Sequence, residues 1–189
     1  MNQILFVNAC ARSGSRTEQL AQTVLACLNG QVSEVNLDSR KLPPMGRNAL
    51  ARRESDLENG LLDAEDYVLA RQFAQADEIV IAAPFWDLFF PAMLKVYLEN
   101  VCISGITFRY DNGIPKGLCR ARRLIYVTTS GGYMETDFGF QYLDALCKSF
   151  WGIPETQVFR CQGLDVWGSD PEKLLSDAQA AAREALTRE

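Results

Sequence analysis

Short apolar runs alternate along the chain with longer stretches in which apolar residues recur every three or four positions. Residues 3–9 form a compact apolar run. Residues 17–28 set Leu20, Val24 and Leu28 at fourfold spacing, which predicts a helix. Residues 31–37 alternate imperfectly through Val32, Val35 and Leu37, as a shorter outer strand does. Residues 39–60 are polar and charged, broken by Pro43, Pro44 and Gly46, and read as a long loop. Residues 61–76 predict a helix and residues 78–83 a strand buried on both faces. Pro91, preorganised for a first helical position, opens a helix carrying Met93, Leu94, Tyr97, Leu98 and Val101. Residues 107–116 hold the turn signal Asp111-Asn112-Gly113 between short extended segments. Residues 123–129 and 155–162 are the fourth and fifth core strands. Between them, a helix over 138–151 is stopped by Gly152 and Pro154. A closing helix spans 171–186, with Ser169 or Asp170 as its N-cap.

Strand then helix, repeated about five times, predicts an α/β fold with parallel pairing and right-handed crossovers. The sheet is then doubly wound, with helices on both faces in three layers, and residues 1–189 form a single domain. Such sheets bind ligands outside the C-terminal strand ends, where strand order reverses. The informative residues should therefore follow strands one, three and four.

Composition narrows the chemistry. The net charge of −5 over 189 residues argues against a phosphate backbone as partner. The chain has no histidine, which excludes Ser-His-Asp triads, Cys-His dyads and histidine metal sites. None of the six cysteines forms C-x-x-C, so no zinc knuckle is expected. Several lie in apolar runs, as buried thiols in a reducing, cytoplasmic setting do. The apolar run from Ile4 to Val7 is too short for a secretion signal and fits a buried strand. No run approaches the roughly 18 apolar residues of a membrane span.

Three loops carry candidate chemistry. After strand one, Ser15, Arg16 and Thr17 open a helix whose backbone amides can hold an anion. Simple N-capping by Ser15 or Thr17 accounts for them about equally well. The segment matches neither the P-loop nor the dinucleotide fingerprint. Cys10 and Arg16 also stand in a C-x5-R arrangement that resembles the phosphate loop of low-molecular-weight protein tyrosine phosphatases. That resemblance implies a Cys10 nucleophile, Arg16 on the phosphate, and Asp170 before Pro171 as acid. After strand three, Pro84, Phe85, Trp86, Asp87, Leu88, Phe89, Phe90 and Pro91 could wall a flat ring system, or pack as a helix lead-in or subunit interface. After strand four, Thr129, Ser130, Gly131 and Gly132 permit close backbone approach to a ligand's polar edge, or form an ordinary glycine turn. Together the loops describe a phosphate pocket beside a planar slot.

With these residues in place, the chain resembles the FMN-dependent NADH-azoreductase and NAD(P)H-quinone oxidoreductase group of flavodoxin-like proteins. The landmarks are Ser15-Arg16-Thr17, Ala83-Pro84-Phe85-Trp86-Asp87-Leu88, Leu94-Lys95, Gly105-Ile106-Thr107-Phe108-Arg109-Tyr110, Asn112-Gly113, Pro115-Lys116-Gly117-Leu118 and Thr129-Ser130-Gly131-Gly132. Gly152-Ile153 and Gly168 also fit, so the resemblance spans nearly the whole chain. It implies a five-stranded sheet in the order 2-1-3-4-5, FMN at a homodimer interface, and two-electron ping-pong transfer from NADH or NADPH to a quinone or azo acceptor. Carried over, Ser15, Arg16 and Thr17 surround the phosphate, and Pro84, Phe85, Trp86, Asp87 and Leu88 line the isoalloxazine. Thr129, Ser130, Gly131 and Gly132 meet its pyrimidine side, and Tyr110 and Tyr133 border the acceptor pocket. No metal is implied. Two departures stand out: Asp87 where the group commonly has Asn, and Cys10 and Arg12 where small or polar residues are common. The alternatives are the Cys10 phosphatase and a non-catalytic flavodoxin-like electron carrier. Residues 39–60 are then a cover, a partner contact or a plain connection, with Arg47, Arg52 and Arg53 as possible contacts to a dinucleotide phosphate.

Overall fold

Apolar side chains on both sides of successive strands force helices onto both faces of one sheet, and the computed structural model, which describes residues 1–187, has that arrangement. The elements in chain order are β1 (Gln3–Asn8), α1 (Arg16–Cys27), β2 (Gln31–Asn36), α2 (Leu37–Arg40), α3 (Arg47–Glu58), α4 (Val68–Gln75) and β3 (Glu78–Ala82). There follow α5 (Ala92–Val101), β4 (Phe108–Asp111), β5 (Ile114–Gly117), β6 (Arg123–Thr129), α6 (Phe138–Leu146), β7 (Glu155–Cys161) and α7 (Pro171–Thr187). The five-stranded sheet runs β2-β1-β3-β6-β7, every neighbour parallel. With the separate antiparallel β4–β5 hairpin set aside, this is the expected 2-1-3-4-5 order.

Period-two alternation divides the strands between two cores. Ile4 and Phe6 of β1, Val80 of β3 and Ile125 and Val127 of β6 face Leu20 and Val24 of α1 and Leu175 and Ala182 of α7. Leu5, Val7, Ile79, Ile81, Leu124 and Tyr126 face the other way, toward Phe73 of α4, Leu94, Tyr97 and Leu98 of α5, and Trp151. The Phe73 and Trp151 rings lie 4.7 Å apart at the centre of this second core.

Four expectations are corrected. The loop over 39–60 contains α2 and the three-turn helix α3. α3 buries none of its residues, so it has no apolar stripe to read, although its Ala, Leu, Arg and Glu residues favour helix. It is tied down by polar contacts: Arg53 Nη2 donates to Glu99 O at 3.1 Å, and Tyr67 OH donates to Asp56 Oδ2 at 2.7 Å. The helix expected over 61–76 begins only at Val68, after a short turn at Glu65–Tyr67. Arg71 Nη1 donates to the carbonyls of Leu62 and Ala64 at 2.6 and 2.9 Å, holding that segment outside the helix. Pro91 is the N-cap of α5 rather than its first residue. The helix over 138–151 finishes as a π-turn, Cys147–Trp151, before left-handed Gly152. The β4–β5 hairpin packs backbone to backbone there: a Cβ on Gly117 would lie 2.2 Å from Gly152 N.

At the opposite end of the sheet, Glu78 starts β3 with its side chain buried. Its oxygens accept from Arg123 Nη2 at 2.9 Å, Arg122 Nη2 at 2.6 Å and Asn2 Nδ2 at 2.8 Å. Burial alone would raise its carboxyl, but these hydrogen bonds outweigh burial and hold it below the ordinary carboxylate range. Glu78→Gln is expected to cost about 3 kcal/mol of stability at pH 7, because it leaves guanidinium groups facing a neutral amide. A lowered carboxyl stabilises the fold above its unfolded value, about 4.3, and the contribution is lost as pH falls through the folded value. Urea denaturation of both proteins should therefore show a gap that is full at pH 7 and shrinks below about pH 4.

Candidate functional site

The C-terminal ends of β1, β3, β6 and β7 come out on one edge of the sheet, and their loops enclose a cleft of about 450 Å³. That volume lies within the range of small-molecule sites, roughly 300–1,000 Å³.

The first wall grows from Asn8, buried at the end of β1. Its Nδ2 donates to Glu18 and Glu34 carboxylates, both at 3.0 Å, and its Oδ1 accepts from the Cys10 amide at 3.0 Å. The chain then turns through left-handed Gly14, with Ser15 N donating to Arg12 O at 3.2 Å. Ser15 caps α1: its Oγ accepts from Glu18 N at 3.4 Å. The amides of Arg16 and Thr17 have no intrahelical acceptor by helix geometry and open toward the cleft end of α1. Capping by Ser15 and anion binding by these amides are therefore compatible at this helix start. The Thr17 hydroxyl is not free for a ligand, because it is buried against the Thr129 hydroxyl at 2.6 Å. That bond ties the first loop to the end of β6.

The second wall is Pro84, Phe85 and Trp86. Phe85 N donates to Thr129 O at 3.0 Å. Trp86 and Phe89 exchange two backbone hydrogen bonds, 2.9 and 2.8 Å, around a two-residue tip in which Asp87 has φ 51° and Leu88 φ 67°. Two left-handed residues in such a tip are the signature of a type I′ turn, where Asn, Asp and Gly are favoured. Asp87 fits that requirement, whereas Leu88 carries a steric cost. Buried Phe90 and its neighbour Phe89 pack on Tyr142, anchoring the base of the loop.

The third wall pairs two loops. Leu164 N donates to Ser130 O at 3.2 Å, Asp165 N to Gly131 O at 2.9 Å, and Gly163 N to Gly132 O at 3.1 Å. A Cβ on Gly131 would sit 2.5 Å from Asp165 Oδ2, so any larger residue there must push that carboxylate aside. Across the cleft, Asp165 Oδ1 meets Arg16 Nη1 at 3.5 Å.

The structure thus brings Ser15, Arg16, Thr17, Pro84, Phe85, Trp86, Thr129, Ser130 and Gly131 into one lining. Asp87 and Leu88 form the adjoining turn tip and Gly132 follows Gly131; none of the three lines the cleft. Tyr110 on β4 and Tyr133 are exposed and lie outside it. Asn8, Leu164 and Asp165 were not singled out from the sequence. The last two follow β7, whose end faces the same sheet edge as the strands that were read as informative. Arg52 pairs with Asp56 and Asp66 and Arg53 with Glu99 O, so both are engaged in holding α3.

Cys10 is buried and absent from the lining. Burial pushes its thiol up to about 11, against a hydrogen bond with Ser15 that lowers it. A nucleophilic thiolate is thereby disfavoured, and Asp170 serves as the cap of α7, accepting from Lys173 N at 3.1 Å. Among the described residues no group of three or more His, Cys, Asp or Glu is placed to hold a metal, and no helix is long and apolar enough to cross a membrane.

A family model described by its flavodoxin-like fold matches residues 2–186. An FMN-dependent NADH:quinone oxidoreductase of Clostridium acetobutylicum is 40% identical over 121 residues, 61% of this chain and 60% of that protein. The chain thus spans about three fifths of that relative's length. A relative of the same name from Pseudomonas syringae pv. tomato is 32% identical over 163 residues, 85% of this chain and 75% of that one. Among solved structures, an FMN-dependent NADH-azoreductase from Bacillus anthracis in complex with FMN superposes with a TM-score of 0.82 at 26% identity, covering 100% of this chain and 99% of that one.

The strain at the turn tip is directly testable. Leu88→Gly should raise stability by about 1 kcal/mol by removing the left-handed penalty. Thermal unfolding of the variant is expected roughly 2–4 °C above the parent chain.

Proposed function

The chain belongs to the flavodoxin-like family, and from that premise we propose that it is an FMN-dependent oxidoreductase, taking electrons from NADH or NADPH and passing them to quinone or azo acceptors. The observation that carries this reading is the meeting, in one cleft, of an anion-ready helix start, an aromatic wall and a glycine-lined polar edge. The relatives' names and the FMN-bound neighbour support the same assignment.

The residues present suit the cofactor. Arg16, the Ser15 hydroxyl and the first amides of α1 are complementary to a phosphate. Phe85 and Trp86 offer planar contact and exclude water beside a ring, with Asp87 and Leu88 at its edge. Thr129, Ser130, Gly131 and Gly132 present backbone groups to a heteroaromatic rim. Thr17 acts through the Thr129 clasp, fixing the distance between the phosphate end and the ring end. Bound FMN supplies the hydride chemistry in two-electron steps; the chain binds, orients and shields. With no histidine, any proton transfer would use a carboxylate, a thiol, a tyrosine, water or the cofactor.

In this proposal residues 1–189 are one domain working in the cytoplasm as a homodimer. Leu88, Tyr110, Tyr133 and Trp167 are exposed, and a dimer seam would cover such side chains. Tyr110 and Tyr133 would border the acceptor there. Nucleic acid is not a partner, given the charge of −5. The buried, protonated Cys10 does not favour the phosphatase, and relatives named as oxidoreductases do not favour a carrier without turnover.

The purified protein mixed with FMN should show a bound-flavin spectrum that NADH bleaches and a quinone restores. Gly131→Val, with unchanged circular dichroism, should weaken FMN binding about 10-fold, since its side chain would displace Asp165 and stand in the part of the cleft assigned to the ring's polar edge. Cys10→Ser should leave the spectrum and its bleaching unaltered. A protein that stays colourless in excess FMN, or turns over an aryl phosphate in a Cys10-dependent way, would overturn the proposal.

A further inference from the structure

Arg16 already has an anion: a carboxylate of its own chain. Asp165 belongs to the loop after β7, and two backbone hydrogen bonds, Leu164 N to Ser130 O at 3.2 Å and Asp165 N to Gly131 O at 2.9 Å, fix that loop against the glycine loop. The side chain then reaches across the cleft. Oδ1 lies 3.5 Å from Arg16 Nη1, and Oδ2 lies against the bare face of Gly131, 2.5 Å from where a Cβ would stand. Both residues line the cleft. The Asp165 side chain is 76% exposed and that of Arg16 44%, so nothing packs the pair in place and the carboxylate has room to swing out.

We propose that Asp165 is an internal counter-anion of Arg16 that competes with the phosphate of an incoming flavin nucleotide, and so sets how strongly the cleft prefers a phosphorylated flavin over an unphosphorylated one. The inference rests on the FMN reading above. Its logic is electrostatic. A phosphate carrying between one and two negative charges must take Arg16 from Asp165 and then tolerate the displaced carboxylate nearby. An exposed ion pair is weak, so the exchange is possible but reduces affinity. A flavin without the phosphate does not need Arg16 and escapes the competition. Asp165 is in this sense a specificity-determining, positioning residue, and its loop is held by backbone bonds that a side-chain substitution leaves intact.

The test is equilibrium binding by fluorescence quenching, with FMN and riboflavin as probes, on the parent chain, Asp165→Asn and Asp165→Ala. Both variants should bind FMN about 3- to 10-fold more tightly, the scale of a weak exposed pair plus like-charge repulsion, and riboflavin unchanged. Raising the salt concentration should shrink the FMN difference. Equal FMN affinity in all three proteins would overturn the role while leaving the cofactor assignment intact. FMN and riboflavin weakening together would also overturn it, since Asp165 would then be holding a part common to both flavins. If none of the proteins binds FMN, the cofactor assignment falls and this role falls with it.

Discussion

A parallel sheet covered by helices on both faces can offer polar groups to a ligand only at the ends of its strands. In this chain β1, β3 and β6 are almost wholly buried along their length, so the side chains between their ends are committed to the two cores. Everything else at the candidate site follows from that constraint. The loops after four strands are brought to one edge by register, and α1 enters the edge with its amide end because right-handed crossovers run helices antiparallel to strands. The opposite edge, where Glu78 is held by Arg122, Arg123 and Asn2, carries charge for stability and faces away from the cleft.

Bringing loops to one edge does not by itself make a site; the walls must be fixed to one another. Each wall here is bonded to its neighbour by a group that a ligand does not need. Asn8 secures the first loop to α1 and β2 through Glu18 and Glu34. The Thr17 and Thr129 hydroxyls join the first wall to the third, and Phe85 N joins the second wall to Thr129 O. The paired loops 130–132 and 163–165 complete the ring of contacts. Such supports leave the first amides of α1 and the exposed faces of Phe85 and Trp86 open to the cleft, with Arg16 paired to Asp165 across it.

The fold was largely legible because its burial is periodic. Val80 and Ile81 in an unbroken apolar run, and Leu20 and Val24 one helical turn apart, declare strand and helix without further help. α3 was not legible, because it is held by Arg53, Arg52 and Asp56 and not by an apolar face. The unwound lead-in to α4 depends on Arg71, whose carbonyl contacts are a property of three-dimensional placement. At the site, the glycines and aromatics announced themselves by type. The Asp87–Leu88 turn did not, since Leu contradicts the local turn chemistry that the Trp86 and Phe89 pairing closes. Asp165 gave no signal because an aspartate in a polar loop is commonplace. Its position opposite Arg16 comes from the register of β6 with β7.

The electrostatics of the cleft differ from those of a simple basic pocket. Arg12 and Arg16 bring two positive charges to the lining, Asp165 returns a negative one, and the chain as a whole is at −5. Long-range attraction therefore contributes little to capturing an anion, and salt would screen most of what exists. What remains is short-range and directional: the amides at the start of α1, which lack an intrahelical acceptor, and one guanidinium that must change partners. A site built this way selects by geometry, admitting an anion only where its oxygens reach those donors. In the proposed reading, the aromatic wall and the glycine loop would take a flat ring joined to that anion. Under the proposed reading, phosphate and ring add to one another, and a ligand that keeps only the ring gives up the donors at the start of α1 but also avoids the contest between Arg16 and Asp165.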